Sequence, residues 1–214
     1  MKVVDLTHTI RENMPVYPGT EGPQLLPANT YETDGFKETR LSMYTHTGTH
    51  IDPPAHLYPG STTLEQFPAG QFIGRALVID CRHLKEGESI TAGCLEPYGE
   101  KVQEADFLLF CLGWDRYWGS RSYFGEYPCL DESVMEIILS GNYKGIGFDV
   151  IGLDPIADGN LTRHKKLFLE KDIINIENLK NLELCGNDLF WFACLPLKVE
   201  NSDGAPARAI AWFE

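Results

Sequence analysis

No apolar run in this chain approaches the ~18 residues that a transmembrane helix needs, so the sequence offers no helical span of a bilayer. Basic residues are scarce. Lys and Arg number 18 against 31 Asp and Glu, a formal net charge of −13. A surface that acidic repels phosphate backbones and anionic headgroups, which sets aside nucleic acid and membrane surfaces as partners. Acidic side chains remain available for cations. The six cysteines, at 81, 94, 111, 129, 185 and 194, form no C-x-x-C pair. Cys81, Cys111 and Cys194 lie in apolar runs and read as free buried thiols of a reducing compartment. The chain has no internal repeat, low-complexity tract or linker. It also has no G-x-S-x-G elbow and no phosphate-binding glycine loop. The N-terminal MKVVDLTHTI carries Asp5 and His8 where a signal peptide needs an apolar run, so the expected location is cytoplasmic.

What is present is ordinary for a globule, with 43% hydrophobic and 23% charged residues in 214 positions. One domain of this length buries a core without disulfides or structural metals. A metal site here would therefore serve chemistry. Residues 1–35 are rich in turns and prolines and are expected to wrap over a surface. Residues 37–47 read as a strand, as do GRALVIDC, ADFLLFCLGW, GIGFDV, IINIEN, DLFWFACLPL and ARAIAWF. DESVMEIILSGN reads as a helix with Asp131 as N-cap and Gly141 as C-cap, and NLTRHKKLFLEKD as a second, with Leu161, Leu167 and Phe168 on its apolar side. Strands interleaved with a few helices indicate an α/β fold with a mixed sheet.

Half of the six histidines lie in HTGTHIDPPAH, residues 46–56. Imidazole and carboxylate are ligands of Zn, Mn and Fe. His46 and His50 have the i, i+4 spacing of a helical metal site, but the β-branched Thr47, Thr49 and Ile51, the central Gly48 and Pro53-Pro54 disfavour a helix. In an extended chain His46, His50 and Asp52 share a face. Four extended residues span about 13 Å, so the chain must bend near Gly48 for both imidazoles to reach one ion. Pro53-Pro54 then stiffens the return of His56. Three protein ligands with an open position form a catalytic pattern, in which bound water ionises near neutral pH. His56 is left as a fourth ligand or a proton shuttle.

The motif resembles H-x-G-T-H-x-D-x-P-x-H of the cyclase-like metal-dependent hydrolases, the family that contains bacterial kynurenine formamidase and isatin hydrolase. The resemblance extends through MPVYPG, GFDVIGLDP at 147–155, the segments around RHKKL and INIENL, LPLKV and DGAPARAI, in that order. It implies a single domain with a mixed, barrel-like β core and a few flanking helices, of the swivelling β/β/α kind. It implies two divalent ions, Zn or Mn. His46 and His50 would bind one, His164 would belong to the second, and Asp52 and Glu177 would bridge them. His56 would stand off the metal as general acid/base.

By the same resemblance, a hydroxide formed at the metal cleaves a small amide or formamide, as when N-formylkynurenine yields kynurenine and formate in tryptophan catabolism. Tyr17 stands where kynurenine formamidases carry a substrate-contacting Trp, which leaves a Mn-dependent cyclic amide hydrolase of the isatin type as an alternative, and an inactive metal-binding member as another. A homodimer or tetramer is implied, with Trp114, Tyr117, Trp118, Tyr123 and Phe124 offering contact surface or a pocket wall. Asp149 and Asp154 are read either as groups that orient a ligand histidine or as turn residues. His8 and His83 match no motif and are assigned structural roles.

Overall fold

Short apolar strands buried on both faces make up the centre of a main sheet that closes on itself. The computed structural model describes residues 1–213. Twelve strands occur in the order β1 (Lys2–Asp5), β2 (Gln24–Asn29), β3 (Glu38–Ser42), β4 (His50–Asp52), β5 (Ile73–Asp80), β6 (Ser89–Ile90), β7 (Phe107–Cys111), β8 (Cys129–Leu130), β9 (Gly145–Phe148), β10 (Ile174–Glu177), β11 (Phe190–Pro196) and β12 (Ala205–Phe213). The α-helices are α1 (Tyr31–Asp34), α2 (Lys101–Glu104), α3 (Glu132–Ser140) and α4 (Thr162–Glu170).

The main sheet runs β1-β12-β11-β5-β7-β9-β10-β4, and β4 pairs back onto β12. Seven strands thus close into a barrel-like ring, and β1 extends it along the far half of β12. Strands β5, β7, β9 and β10 are mutually parallel, whereas β4, β11 and β12 join antiparallel. This is a mixed α/β fold of a single domain, as expected.

Alternate residues of each strand face opposite ways. Phe107, Leu109, Ile174, Ile176, Phe192 and Cys194 pack together on one side, where Ala205, Ala207, Ala209 and Ala211 of β12 leave them room. Leu108, Phe110, Ile146 and Phe148 face the other way, against Val134, Met135 and Ile138 of α3 and Leu167 and Phe168 of α4. Helix α3 begins as its sequence predicts. The Asp131 side chain accepts the Val134 amide, and the Gly141 amide closes on the Ile137 carbonyl. All six cysteines are free. Burial pushes the Cys129 and Cys185 thiols up to about 12, and Cys111 and Cys194 shift in the same direction, so these four are not poised as thiolates.

Two expectations are corrected. The proline-rich start contains two strands, because the alternation in Lys2–Asp5 finds a partner edge on β12 and Gln24–Asn29 pairs with β3. The strand expected over 37–47 stops at Ser42, since the metal-motif loop must turn before His50. The aromatic segment is divided: Trp114 and Tyr123 are buried, Trp118 stacks on the buried His8 ring at 3.8 Å, and Phe124 is exposed. His8 accordingly has a packing role, and His83 is exposed. No helix among the described residues is long and apolar enough to cross a membrane.

Candidate metal centre

The antiparallel register of β4 and β10 builds the floor of the site. His50 lies opposite Glu177 and Asp52 opposite Asn175, while the intervening pair Ile51 and Ile176 turns into the apolar core. Four polar side chains therefore share one face of two short strands, and Ile51 and Ile176 anchor that face from behind. His164 approaches from α4. Asp154 accepts the Arg163 and His164 backbone amides, which caps the start of α4, and also holds His164 Nδ1 at 2.8 Å. One carboxylate thus satisfies orphan helix donors and aims the imidazole. Asp149 does not share this role. It accepts the Leu112 and Trp114 amides and lies off the cluster, and burial raises its pKa to about 7.

The motif loop behaves as its composition demands. Gly48 has φ of 68°, a left-handed conformation that a side chain would strain, and its carbonyl accepts from His50 Nδ1 and Asn178 Nδ2, both at 2.8 Å. Asn178 in turn accepts the buried Tyr123 hydroxyl at 2.6 Å. The aromatic segment therefore supports the loop from beneath. Beyond the strand, Pro54–His56 forms a 3-10 turn that brings the His56 ring to 4.0 Å from the His46 ring and 6.1 Å from that of His164.

Asp52 Oδ1 lies 2.6 Å from His46 Nδ1 and 3.2 Å from His50 Nε2. Its other oxygen lies 3.5 Å from His164 Nε2. Glu177 is divided in the same way, with Oε2 3.6 Å from His50 Nε2 and Oε1 3.2 Å from His164 Nε2. A tetrahedral ion with metal–ligand bonds of about 2.1 Å separates its ligands by roughly 3.4 Å. The His50 and His164 spacings match that edge. The sets His46, His50, Asp52 and Asp52, His164, Glu177 each bring their donor atoms within 4.8 Å of one another. The residues fit divalent metal.

Charge supports the same reading. Burial alone would lower the His46 pKa, but Asp52 and Asp203 more than offset it and hold it at about 10. His50 and His164 are buried too, yet the surrounding carboxylates raise both. Asp52 sits well below the carboxylate range despite burial, because His50 and His46 stabilise its charge. The cluster demands positive charge, which protons supply when no ion does.

All three proposed ligand histidines are oriented by an oxygen on their second nitrogen. His46 Nε2 faces Asp203 at 3.4 Å, His50 holds the Gly48 carbonyl and His164 holds Asp154. Among the described residues His56 has no such partner, and burial lowers its pKa. His46, His56 and Asp203 also come close enough to form a third donor group, but Asp203 is 55% exposed and its contact to His46 is the orienting one. Asp203, Asn175 and Asn178 were missed by the sequence reading. Asp203 lies in the DGAPARAI segment, whose acidic first residue was the available signal.

Tyr17 lies at the cavity wall, partly exposed. The cavity has a volume of about 550 Å³ and is lined by all six clustered residues, with Tyr17, Tyr44, Ile151 and Leu161 as its apolar side. That size suits a small organic ligand.

Residues 4–155 match the model of the family described as "Putative cyclase". An uncharacterised protein of Methanocaldococcus jannaschii is 31% identical over 212 residues, 99% of each chain. A kynurenine formamidase of Geobacillus thermodenitrificans is 29% identical over 208 residues, covering 96% of this chain and 95% of that one. The crystal structure of an isatin hydrolase bound to the product analogue thioisatinate superposes with a TM-score of 0.86 at 23% identity, over 98% of this chain and 91% of that one. The chain belongs to the cyclase-like family of metal-dependent hydrolases.

Proposed function

We propose that the chain hydrolyses the C–N bond of a small amide or formamide, in the manner of an arylformamidase, with N-formylkynurenine as the first substrate to test. The observation that carries this reading is the split of Asp52 and Glu177, each of which gives one oxygen to the His50 side and one to the His164 side. That arrangement suits two divalent ions sharing both carboxylates, with His46 and His50 on one and His164 on the other. When bound, such ions supply Lewis acidity toward a carbonyl oxygen and make water more acidic.

The chain's own groups do the rest. His56, beside the cluster and unconstrained by a second partner, takes a proton from water onto an imidazole nitrogen. Water's oxygen bonds to the carbonyl carbon, the C–N bond breaks, and His56 returns its proton to the leaving nitrogen. Asp154, Asp203 and the Gly48 carbonyl fix the ligand imidazoles, so that geometry is set before substrate enters. Tyr17 and Tyr44 would line the acyl or aryl portion of the substrate. Neither Lys nor Arg lines the cavity, which favours a neutral or zwitterionic substrate over an anion.

The test is a panel of formanilide, N-formylkynurenine, isatin and simple lactones on protein of defined metal content. Turnover of formamides above the cyclic substrates supports the reading. Preference for isatin would transfer it to the cyclic amide alternative, and silence toward the whole panel would leave a metal-binding member without this activity.

The homo-oligomer is proposed on different residues from those the sequence suggested. The β2–β3 ribbon is exposed on both faces and carries Leu25, Tyr31, Phe36 and Leu41 at its surface. A lone two-stranded ribbon is marginal in water, so a second copy packing on it would stabilise both. Sedimentation that gives a monomer at micromolar concentration would exclude this.

A further inference from the structure

Asn175 is fully buried in β10, opposite Asp52, and its two side-chain polar atoms are treated very differently by their surroundings. Nδ2 lies 3.0 Å from Asp52 Oδ2, 2.9 Å from Glu177 Oε1 and 3.3 Å from His164 Nε2. These are the three atoms that would hold the ion on the His164 side. Oδ1, by contrast, is buried with no hydrogen-bond partner. An unpaired buried amide oxygen is destabilising, so this orientation is maintained only by the two carboxylates, each of which needs a donor when no cation is present.

A cation between those three atoms reverses the preference. The carboxylate lone pairs then point at the ion, and an N–H dipole aimed into the same space is repelled. A half-turn about the terminal side-chain torsion exchanges Nδ2 and Oδ1 with almost no change of shape. It places the carbonyl oxygen, a ligand suited to hard divalent ions, where the donor stood.

We propose that Asn175 is a metal ligand as well as a neighbour of the ligands: its amide turns over on metal uptake and Oδ1 becomes the fourth protein donor to the ion held by Asp52, His164 and Glu177. This rests on the two-ion reading above. In the ion-free protein the Nδ2 hydrogens hold the two carboxylates in place, so the site is kept shaped without an ion and gains a ligand with one.

The test is equilibrium dialysis of metal-stripped wild-type, Asn175→Ala and Asn175→Asp proteins against Zn²⁺ or Mn²⁺, with elemental counting, and calorimetric melting of the metal-free forms as a control for folding. Wild type should take up two ions. Asn175→Ala should keep one at wild-type affinity and bind the other at least tenfold more weakly. Asn175→Asp offers a charged oxygen in the same shape. It should melt lower without metal and bind the second ion at least as tightly as wild type. Unchanged uptake in Asn175→Ala overturns the assignment, whether wild type holds one ion or two. So does weaker binding by Asn175→Asp than by wild type, which is the result expected if Asn175 acts only through its N–H groups. Wild-type protein that takes up no ion contradicts the proposed function itself.

Discussion

Asp52 and Glu177, from strands that pair antiparallel, each turn one oxygen toward His50 and the other toward His164. Two carboxylates buried this deeply repel one another and pay for lost hydration unless cationic partners surround them. Three histidines and the Asn175 amide do so here. The site is thus built around a deficit of positive charge, which is the property that a pair of divalent ions would satisfy.

Replacing His56 with Ala should separate chemistry from binding. The ring stands beside the cluster without an orienting acceptor, so metal content should stay at the wild-type level while turnover falls about 10²–10⁴-fold, the usual worth of a general acid/base. Loss of metal in this variant would make His56 a ligand, and unchanged turnover would remove it from the chemistry.

Asp154→Asn should weaken metal binding without touching a ligand. The carboxylate that holds His164 Nδ1 at 2.8 Å also caps α4. An orienting group of this kind is worth roughly 10–100-fold in affinity, and because Asn keeps one accepting oxygen, loss of the other's amide contact costs at most about 1 kcal/mol of stability. Dialysis and thermal melting read the two effects apart.

Gly204→Ala should act through space alone. A Cβ at this position would lie 2.5 Å from His46 Cε1 and 2.6 Å from Nε2. The imidazole must shift from its place between Asp52 and Asp203, and affinity for one ion should fall at least tenfold by the same reasoning as for Asp154. Metal stoichiometry at limiting free metal checks this. A variant that binds both ions normally would show that the His46 ring has room to yield.

The pH dependence of stability should carry a signature of His8. Burial, reinforced by Lys180, lowers its pKa from 6.5 to about 4. The unfolded chain therefore binds a proton that the folded chain refuses between these values. The contribution is complete above pH 6.5 and is lost as pH falls toward 4, amounting to about 3 kcal/mol. His8→Phe keeps the stack on Trp118 and removes the titration. Measured on metal-free protein, the wild type should lose more stability than this variant between pH 7 and 4, and parallel losses would contradict the buried neutral state.

The sequence made the loop legible because its signal is local. Glycine, two prolines and four donors within eleven positions force a bend, and the structure has that bend at Gly48 and the return at Pro54–His56. Helix α3 was equally legible, since Asp131 and Gly141 mark its ends. His164 and Glu177 carry no local signal. Their meaning comes from the register of β4 with β10 and from the docking of α4, which only the resemblance anticipated. Asn175 was invisible for the same reason, as an asparagine two residues before a glutamate reads as an ordinary strand residue until β4 is laid beside it. The Tyr123–Asn178–Gly48 chain was not legible, because aromatic composition does not say whether a segment faces in or out.

Formamide hydrolysis by one preparation, followed as metal is removed and then restored, tests whether this cluster hydrolyses amides through bound metal. Stripped protein should release no formate from N-formylkynurenine or formanilide, and activity should return as one and then two equivalents of Zn²⁺ or Mn²⁺ are added. Equal rates with and without metal, or no hydrolysis of any amide at full occupancy, would contradict that reading.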